Sequence, residues 1–341
     1  MLRKIAVFIM IFVLIIIVLG GISYSFLWSD NIQDTDEKKI VLFIPTGSNY
    51  NNVLDSLHKY DVLKNYRSFN MVSERLGYPD LIKPGRYIIE KNMNNWSLVR
   101  KLRSGDQDAV RLTINNITQI SDLTKKVSDK LEFSNEDLVN IVLSDTFLQV
   151  KGLTKDNVLT LFISNTYEVW WNTAAEKFIA KMSAEHDKFW TSERRKKAAS
   201  LPLTVEQVVT LASIVQKESN KADEQSRIAG VYLNRLRDNW PLQADPTVKF
   251  ALKQFDLKRI LNIHTQYNSP FNTYKNIGLP PGPICLPEMN VIDAVLNAEK
   301  HNYFYFCAKE DFSGYHNFAT TLAEHNANAQ RYQKALNQAG Y

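Results

Sequence analysis

A single carboxylate at the end of a strongly patterned helix is the first place in this sequence where chemistry could reside. Thr204 and Gln207 have the spacing of a capping box, and Leu203 with Val208 that of a hydrophobic staple, which predicts a helix starting at Thr204. Val205, Val208, Val209, Ala212 and Val215 recur at helical spacing, and Leu211, Ile214 and Val215 carry the apolar stripe on to Glu218. A carboxyl there meets the negative end of the helix dipole and partial burial, and both effects raise its pKa. A carboxylic acid still protonated near neutral pH is what glycosidic-bond cleavage requires, because the leaving oxygen must receive a proton as its bond breaks. Spacing alone favours a plainer reading, an ordinary helix-end glutamate paired with Lys217, Lys221 or Arg227.

Polar, proline-rich segments follow a helical stretch predicted over Asp223 to Arg237. In Leu242-Gln243-Ala244-Asp245-Pro246-Thr247, Pro246 disfavours helix at Asp245 and predicts an extended or turn conformation that presents its side chain. Tyr267 to Tyr274 and Gly278 to Pro283 read as two stiff loops rich in amide, hydroxyl and aromatic groups. Aromatic faces stack on pyranose rings while Asn, Gln and Asp bond hydroxyls and acetamido groups, so such loops suit sugar binding. The alternative is that these prolines only shape long connections. Near the C-terminus, Tyr303 to Cys307 reads as a buried strand, Glu310 to Gly314 as a turn, Tyr315 to Phe318 as the returning strand, and Thr321 with Glu324 as a helix start.

Cys285 and Cys307 are the only cysteines, which excludes a disulfide framework and any four-cysteine zinc site. No His or Cys spacing, His316 and His325 included, matches a common zinc pattern, so no metal is expected. A nucleophilic pair of Cys307 and His316 is conceivable, but a small buried thiol is the plainer outcome within an aromatic strand.

The elements that must position these residues sit in a chain of 341 residues, enough for about two domains. Hydrophobic residues are 45% and charged residues 23%, which excludes a disordered chain, and 12 Gly with 11 Pro excludes a low-complexity body. A net charge of +5 is too weak to suggest nucleic-acid binding without a concentrated patch. The basic run Arg194 to Lys197 reads as a solvated helix end, with an anionic polymer or lipid headgroup as the alternative.

Residues 5–28 carry no charge, and as a helix would reach about 36 Å against a bilayer core of about 30 Å. Arg3 and Lys4 precede this run while Asp30, Asp34 and Asp36 follow it, so the positive-inside rule puts residues 1–4 in the cytoplasm and the rest outside. The run continues through Leu19 with no A-x-A site after it, which favours a retained anchor over a cleaved signal peptide, and no cysteine stands where a lipoprotein needs one. After a polar linker, residues 29–38, a strand from Lys39 to Pro45, helices around Asn52 to His58 and Val62 to Leu76, a turn at Lys83 to Arg86, a strand at Tyr87 to Ile89 and a helix from Trp96 to Arg103 make residues 39–105 a small α+β unit. A strand from Ala109 to Ile114 opens the larger mixed α+β region, residues 106–341, in which Ser134/Asp137 and Thr173/Glu176 mark further helix starts.

The string Leu211-Ala212-Ser213-Ile214-Val215-Gln216-Lys217-Glu218, followed by Val231 to Leu236, Leu242 to Val248, Tyr274 through Gly282 and His316-Asn317-Phe318, resembles the MltG/YceG-like endolytic murein transglycosylases in content and order. The resemblance spans residues 39–341 and includes the preceding single anchor. It implies that residues 39–105 form a LysM-like subdomain and 106–341 the catalytic domain, and that Glu218 is the catalytic acid. Relatives often carry a second Glu two positions earlier, where this chain has Gln216, so the assignment concentrates on Glu218. It further implies cleavage of the bond between N-acetylmuramic acid and N-acetylglucosamine in nascent glycan strands, with closure of a 1,6-anhydro ring, no cofactor, and a setting near peptidoglycan synthases at the cytoplasmic membrane. Gln243, Asp245, Asn272, Tyr274, His316 and Asn317 are then the candidates for holding the glycan. Two rivals are an inactive, membrane-anchored peptidoglycan-binding scaffold and a cysteine peptidase built on Cys307.

Overall fold

The computed structural model describes residues 2–34, 39–257 and 259–339. Asp36, expected among the acidic residues after the apolar run, lies outside them. The chain is mixed α and β and rich in helix, as the sequence predicts, and its strands are short and occur in pairs. It divides into two compact units, one running through Arg111 and taking in Lys130–Phe133 and Glu168–Ala174, the other formed by Leu112–Asp129, Ser134–Tyr167 and the chain from Ala175 onward.

The first unit begins with α1 (Leu2–Trp28), in which the described apolar side chains from Ile5 to Val18 are all exposed. Among the described residues no single helix is long and apolar enough by itself to cross a membrane, and the described apolar helix is Lys4–Val18. Then come β1 (Lys39–Ile44), α2 (Tyr50–Lys59), α3 (Tyr66–Arg75), β2 (Gly85–Glu90) and α4 (Asn95–Ser104). Strands β1 and β2 are antiparallel, with Lys39 opposite Glu90 and Ile44 opposite Gly85. Their alternating inward residues, Ile40, Leu42, Ile44, Tyr87 and Ile89, meet Leu57, Phe69, Leu98 and Leu102 from the helices in one core.

Two sequence expectations change here for one reason. Asn31 and Ile32, read as part of a polar linker, are buried, because Ile32 pairs with Leu63 and the Asn31 amide bonds the Asn65 carbonyl and the Asn95 side chain. That pairing holds Val62 and Leu63 extended, so α3 starts at Tyr66, capped by Asn65, rather than at Val62.

In the rest of the chain β3 (Val110–Ile114) is followed by α5 (Ile120–Ser128), α6 (Asn135–Val142), α7 (Asp145–Lys151), a 3-10 turn (Val158–Leu161) and β4 (Asn165–Val169), which pairs with β3. Next are α8 (Ala175–Phe189), α9 (Ser192–Ser200), α10 (Val205–Glu218), α11 (Ala222–Arg237), α12 (Asp245–Leu252), α13 (Asn262–Thr265), α14 (Met289–Leu296), the hairpin β5 (Tyr305–Ala308) and β6 (His316–Ala319), and α15 (Leu322–Gln338). The capping boxes read at Ser134, Thr204 and Thr321 are all formed. Part of the basic run of α9 is engaged within the unit, with Arg194 in a two-pronged pair with Asp293 and Lys197 bonded to Asn297.

Helix α10 is more deeply set than its stripe implies: every residue from Val208 to Val215 is buried. Helices α9, α11, α12 and α14 and the 3-10 turn all contact it, which leaves no solvent face over those two turns. Its buried polar groups are matched: the Thr210 hydroxyl donates to the Glu206 carbonyl, and the Ser213 hydroxyl donates to the Thr210 carbonyl and accepts the Ile284 N–H.

The glycines that bound Gly278-Leu279-Pro280-Pro281-Gly282 are needed for different reasons. Gly278 has φ +91° with nothing within 4 Å of a Cβ, whereas a Cβ on Gly282 would lie 1.9 Å from the Asp156 carbonyl oxygen. Gly282→Ala must therefore displace backbone and is expected to cost about 2–3 kcal/mol. Gly278→Ala meets only a backbone penalty of about 1 kcal/mol. Urea unfolding of the two variants checks the order, and equal losses would remove the close approach as the cause.

Candidate active site

Glu218 is the last residue of α10, and the chain turns to extended backbone at Ser219, with φ −144° and ψ 135°. The long buried helix thus ends where its final side chain enters a cleft of about 500 Å³. Gln216, two residues earlier, points away and accepts the Glu288 N–H at 2.6 Å. Two of the three pairing partners suggested by spacing are engaged elsewhere: Arg227 pairs with Glu299 at 2.9 Å, and Lys221 lies over the Tyr315 ring.

The carboxyl of Glu218 accepts a hydrogen bond at Oε1 from the Tyr232 hydroxyl at 2.7 Å. Burial raises its pKa to about 7, Asp245 adds to the rise, and the Tyr232 hydrogen bond with the Arg235 and Lys249 charges opposes it. Although the residue keeps some exposed surface, its carboxyl is surrounded by protein on the scale that governs desolvation. Desolvation leads the rise that the sequence had attributed jointly to burial and the helix dipole.

Tyr232 and Arg235 come from one face of α11, three residues apart. The buried Arg235 guanidinium donates from Nε to the Phe304 carbonyl at 2.8 Å and from Nη1 to the Leu242 carbonyl at 2.6 Å. It thereby holds two remote segments against α11 and places positive charge near Glu218. Both residues fall within the Val231 to Leu236 motif but are not among the candidate site residues. Their i, i+3 spacing was the available signal, but only the packing of α11 on α10 directs that face toward Glu218.

The opposite wall is the segment from Leu242 to Thr247 laid against Thr273. Gln243 N–H donates to the Thr273 carbonyl, Ala244 N–H to the Thr273 hydroxyl at 3.0 Å, and the hydroxyls of Thr247 and Thr273 meet at 2.8 Å. Gln243 is held at φ 49°, in the left-handed region that a residue with a Cβ occupies at a cost of about 1 kcal/mol. Asp245 corrects the sequence reading: it is the first helical residue of α12, with Pro246 in the first turn. The proline supplies no N–H that the first turn needs, and the carboxylate faces the positive end of the helix dipole. The Tyr274 hydroxyl donates to its Oδ1 at 2.5 Å.

Of the residues read as candidate glycan contacts, Gln243, Asp245, Tyr274 and His316 line the cleft with Glu218, together with Tyr232, Arg235, Tyr305 and His325, which were not assigned. Asn272 and Asn317 do not reach it. Asn272 is fully buried and staples its own loop, donating to the Thr265 and Tyr267 carbonyls and accepting the Tyr274 N–H. Asn317 follows His316 in a strand, where successive side chains point to opposite faces, and donates to Glu310 at 2.8 Å. A larger hollow of this unit, about 1220 Å³, lies by Leu201 to Thr204 and Leu279 to Pro281, and Glu218 does not line it.

Cys307 is half-buried at the cleft rather than fully buried, and burial raises its thiol pKa, the wrong direction for a nucleophile. Nδ1 of His316 faces Glu224, not Cys307. Among the described residues no group of three or more His, Cys, Asp or Glu side chains is disposed to hold a metal ion.

A carboxyl that holds its proton to about pH 7 when folded, against 4.5 as its ordinary value, makes stability depend on pH in a defined direction. Between those values the folded chain binds more protons than the unfolded one, so this group's contribution falls as pH rises through that window, by about 3 kcal/mol at most, and is constant above it. Glu218→Gln removes that slope, so denaturation against pH is expected to show the variant gaining on the parent from pH 4.5 to 7. Tyr232→Phe is expected to move the Glu218 titration higher, read by carbon NMR of the carboxyl, and a downward shift would remove the tyrosine as its donor.

Comparison with known proteins bears on the whole of this region. The chain is 29% identical over 347 residues to the endolytic murein transglycosylase of Bacillus subtilis (strain 168), covering 94% of this chain and 93% of that protein. It is 28% identical over 337 residues to the endolytic murein transglycosylase of Streptococcus pneumoniae serotype 2, covering 90% of this chain but 61% of that protein. The crystal structure of a YceG-like protein from Listeria monocytogenes superposes with a TM-score of 0.56 at 26% identity, covering 85% of this chain and 98% of that one. The model of the YceG-like family matches residues 42–331. That span includes every motif from Leu211 to Phe318 and every wall of the cleft, and the chain belongs to the YceG-like family.

Proposed function

We propose that this chain is a membrane-anchored endolytic lytic transglycosylase that cleaves the N-acetylmuramic acid to N-acetylglucosamine bond of nascent peptidoglycan strands. The observation that carries the reading is the Glu218 carboxyl, open to the cleft yet desolvated enough to keep its proton to about pH 7. The names of the bacillar and streptococcal relatives support the same substrate class.

Glu218 donates its proton to the glycosidic oxygen as the bond from that oxygen to the anomeric carbon breaks. Positive charge develops at the anomeric carbon, and the Asp245 carboxylate, oriented by Tyr274, stabilises it. The C6 hydroxyl of the same muramic acid then attacks that carbon and gives its proton to Glu218, which closes the 1,6-anhydro ring and restores the acid. Most glycosidases need a second carboxylate as nucleophile or as base for water. Here the nucleophile is tethered to the substrate, and intramolecular attack has a large effective-concentration advantage. Tyr232 keeps the carboxyl in one orientation through both proton transfers.

The exposed apolar side chains of α1 from Ile5 to Val18 support a membrane setting, with Arg3 and Lys4 on the cytoplasmic side and the body of the chain outside. The strand, helix, helix, strand order of β1, α2, α3 and β2 supports the LysM-like reading of residues 39–105. Glycan is the ligand proposed for that unit, and a setting beside peptidoglycan synthases goes with the proposed substrate.

Two measurements test the reading. The full chain in detergent, incubated with uncrosslinked glycan strands, is expected to yield 1,6-anhydro ends by mass spectrometry, with Glu218→Gln slowed by about 10² to 10⁴-fold. Reducing ends would mean hydrolysis instead, and binding without any cleavage would mean a scaffold. In membranes washed with alkaline carbonate the chain is expected to stay in the pellet, and release into the supernatant would remove the anchor.

A further inference from the structure

Glu224 lies in the first turn of α11, is 3% exposed, and was not singled out by any motif. Both of its oxygens are taken by one residue. Oε1 accepts the backbone N–H of His316 at 2.9 Å, and Oε2 lies 3.0 Å from Nδ1 of the same histidine. The nearby cations Arg227 and Lys221 are engaged elsewhere, with Glu299 and over the Tyr315 ring, and among the described residues His316 is the partner of this buried carboxylate.

The imidazole is held from its faces as well. Phe306, across the hairpin, meets it edge to face at 5.3 Å and 89°, and Phe318 lies 6.5 Å away at 65°. The ring therefore has one orientation and one edge committed to Glu224, while the residue lines the cleft that contains Glu218. A carboxylate accepts hydrogen bonds, so the 3.0 Å contact is a hydrogen bond when Nδ1 carries the proton. The hydrogen bond made by one ring nitrogen sets what the other can do.

We propose that Glu224 is a positioning residue that fixes His316 as the neutral Nδ1–H tautomer, so that Nε2 is a hydrogen-bond acceptor for a sugar hydroxyl or acetamido N–H of the bound glycan. The proposal rests on the glycan reading of the cleft and adds to it the group that orients a contact residue. Its chemistry is selective: an Nε2 lone pair accepts from hydroxyl and amide donors and rejects the acetamido carbonyl, which an Nε2–H would instead prefer. A carboxylate that only pinned α11 to the hairpin would satisfy the backbone N–H with one oxygen and place no requirement on the ring.

The test is the nitrogen NMR spectrum of the full chain in detergent with ¹⁵N-labelled histidine, His316 being assigned by its absence in His316→Ala. The unaltered protein is expected to show a protonated Nδ1 and an unprotonated Nε2. A proton on Nε2, alone or with one on Nδ1, overturns the proposal, and this outcome is read on the unaltered protein. In Glu224→Gln the amide oxygen keeps the backbone bond and the amide N–H₂ faces Nδ1, so the proton is expected to move to Nε2. Glycan affinity, measured with uncrosslinked strands in the Glu218→Gln background so that no turnover occurs, is expected to fall about tenfold for Glu224→Gln. His316→Ala is expected to cause a similar loss, with no further loss when the two are combined. An inverted tautomer with unchanged affinity, or losses that add, would leave Glu224 a purely structural residue. Failure of the Glu218→Gln chain itself to bind glycan counts against the reading of the cleft, while the tautomer assignment is read from the spectrum alone.

Discussion

The enclosure of α10 is the constraint on which the rest of the larger unit depends. Eight successive residues, Val208 to Val215, are buried, because helices close on every side of it, and the valines, Leu211 and Ile214 each contribute about 1.5–3 kcal/mol relative to exposure. A helix so enclosed cannot rotate or slide without opening cavities, and its few polar groups are bonded to their own helix or to Ile284. Its final residue is therefore delivered to one place. Glu218 arrives at the cleft with its carboxyl already desolvated, and the elevated pKa follows from the same packing that stabilises the fold.

Around that carboxyl the protein sets opposing influences of similar kind. Asp245 pushes the pKa in the direction of burial, while Tyr232, Arg235 and Lys249 push against it. A fully unopposed carboxyl would keep its proton too tightly to act as an acid near neutral pH, and one beside a free cation would lose it too early. Arg235 serves this balance while Nε and Nη1 are engaged with the Phe304 and Leu242 carbonyls, and it contributes positive charge near Glu218. The same bonds bring the walls of the cleft together, since Leu242 leads to Gln243 and Asp245, and Phe304 leads into β5.

Local signals were legible wherever a few neighbouring residues settle the outcome. The caps at Ser134, Thr204 and Thr321 form as their spacing indicates, and the turn after Cys307 returns the chain as a hairpin. Signals failed where a distant segment intervenes. Val62 and Leu63 have helical periodicity but are drawn out by Ile32, and Asp245 stands before a proline yet opens a helix. Asn272 has the chemistry of a sugar contact but is consumed by its own loop, and Asn317 sits beside His316 in sequence while strand alternation turns it away.

The sequence by itself determined that a helix runs from Thr204 to Glu218 with a carboxyl at its end, that polar proline-rich segments follow, and that the ordered motifs are those of the YceG-like family. Periodicity, capping and motif order are properties of residues near one another along the chain, and they survive without coordinates. Only the tertiary structure decided which side chains share the cleft. Tyr232, Arg235 and Glu224 look like ordinary positions of an amphipathic helix, and their meaning comes from partners 7 to 92 residues away. Burial and hydrogen-bond partnership depend on distance in space, so the acid's elevated pKa and the orientation of His316 could be read only once the chain was folded.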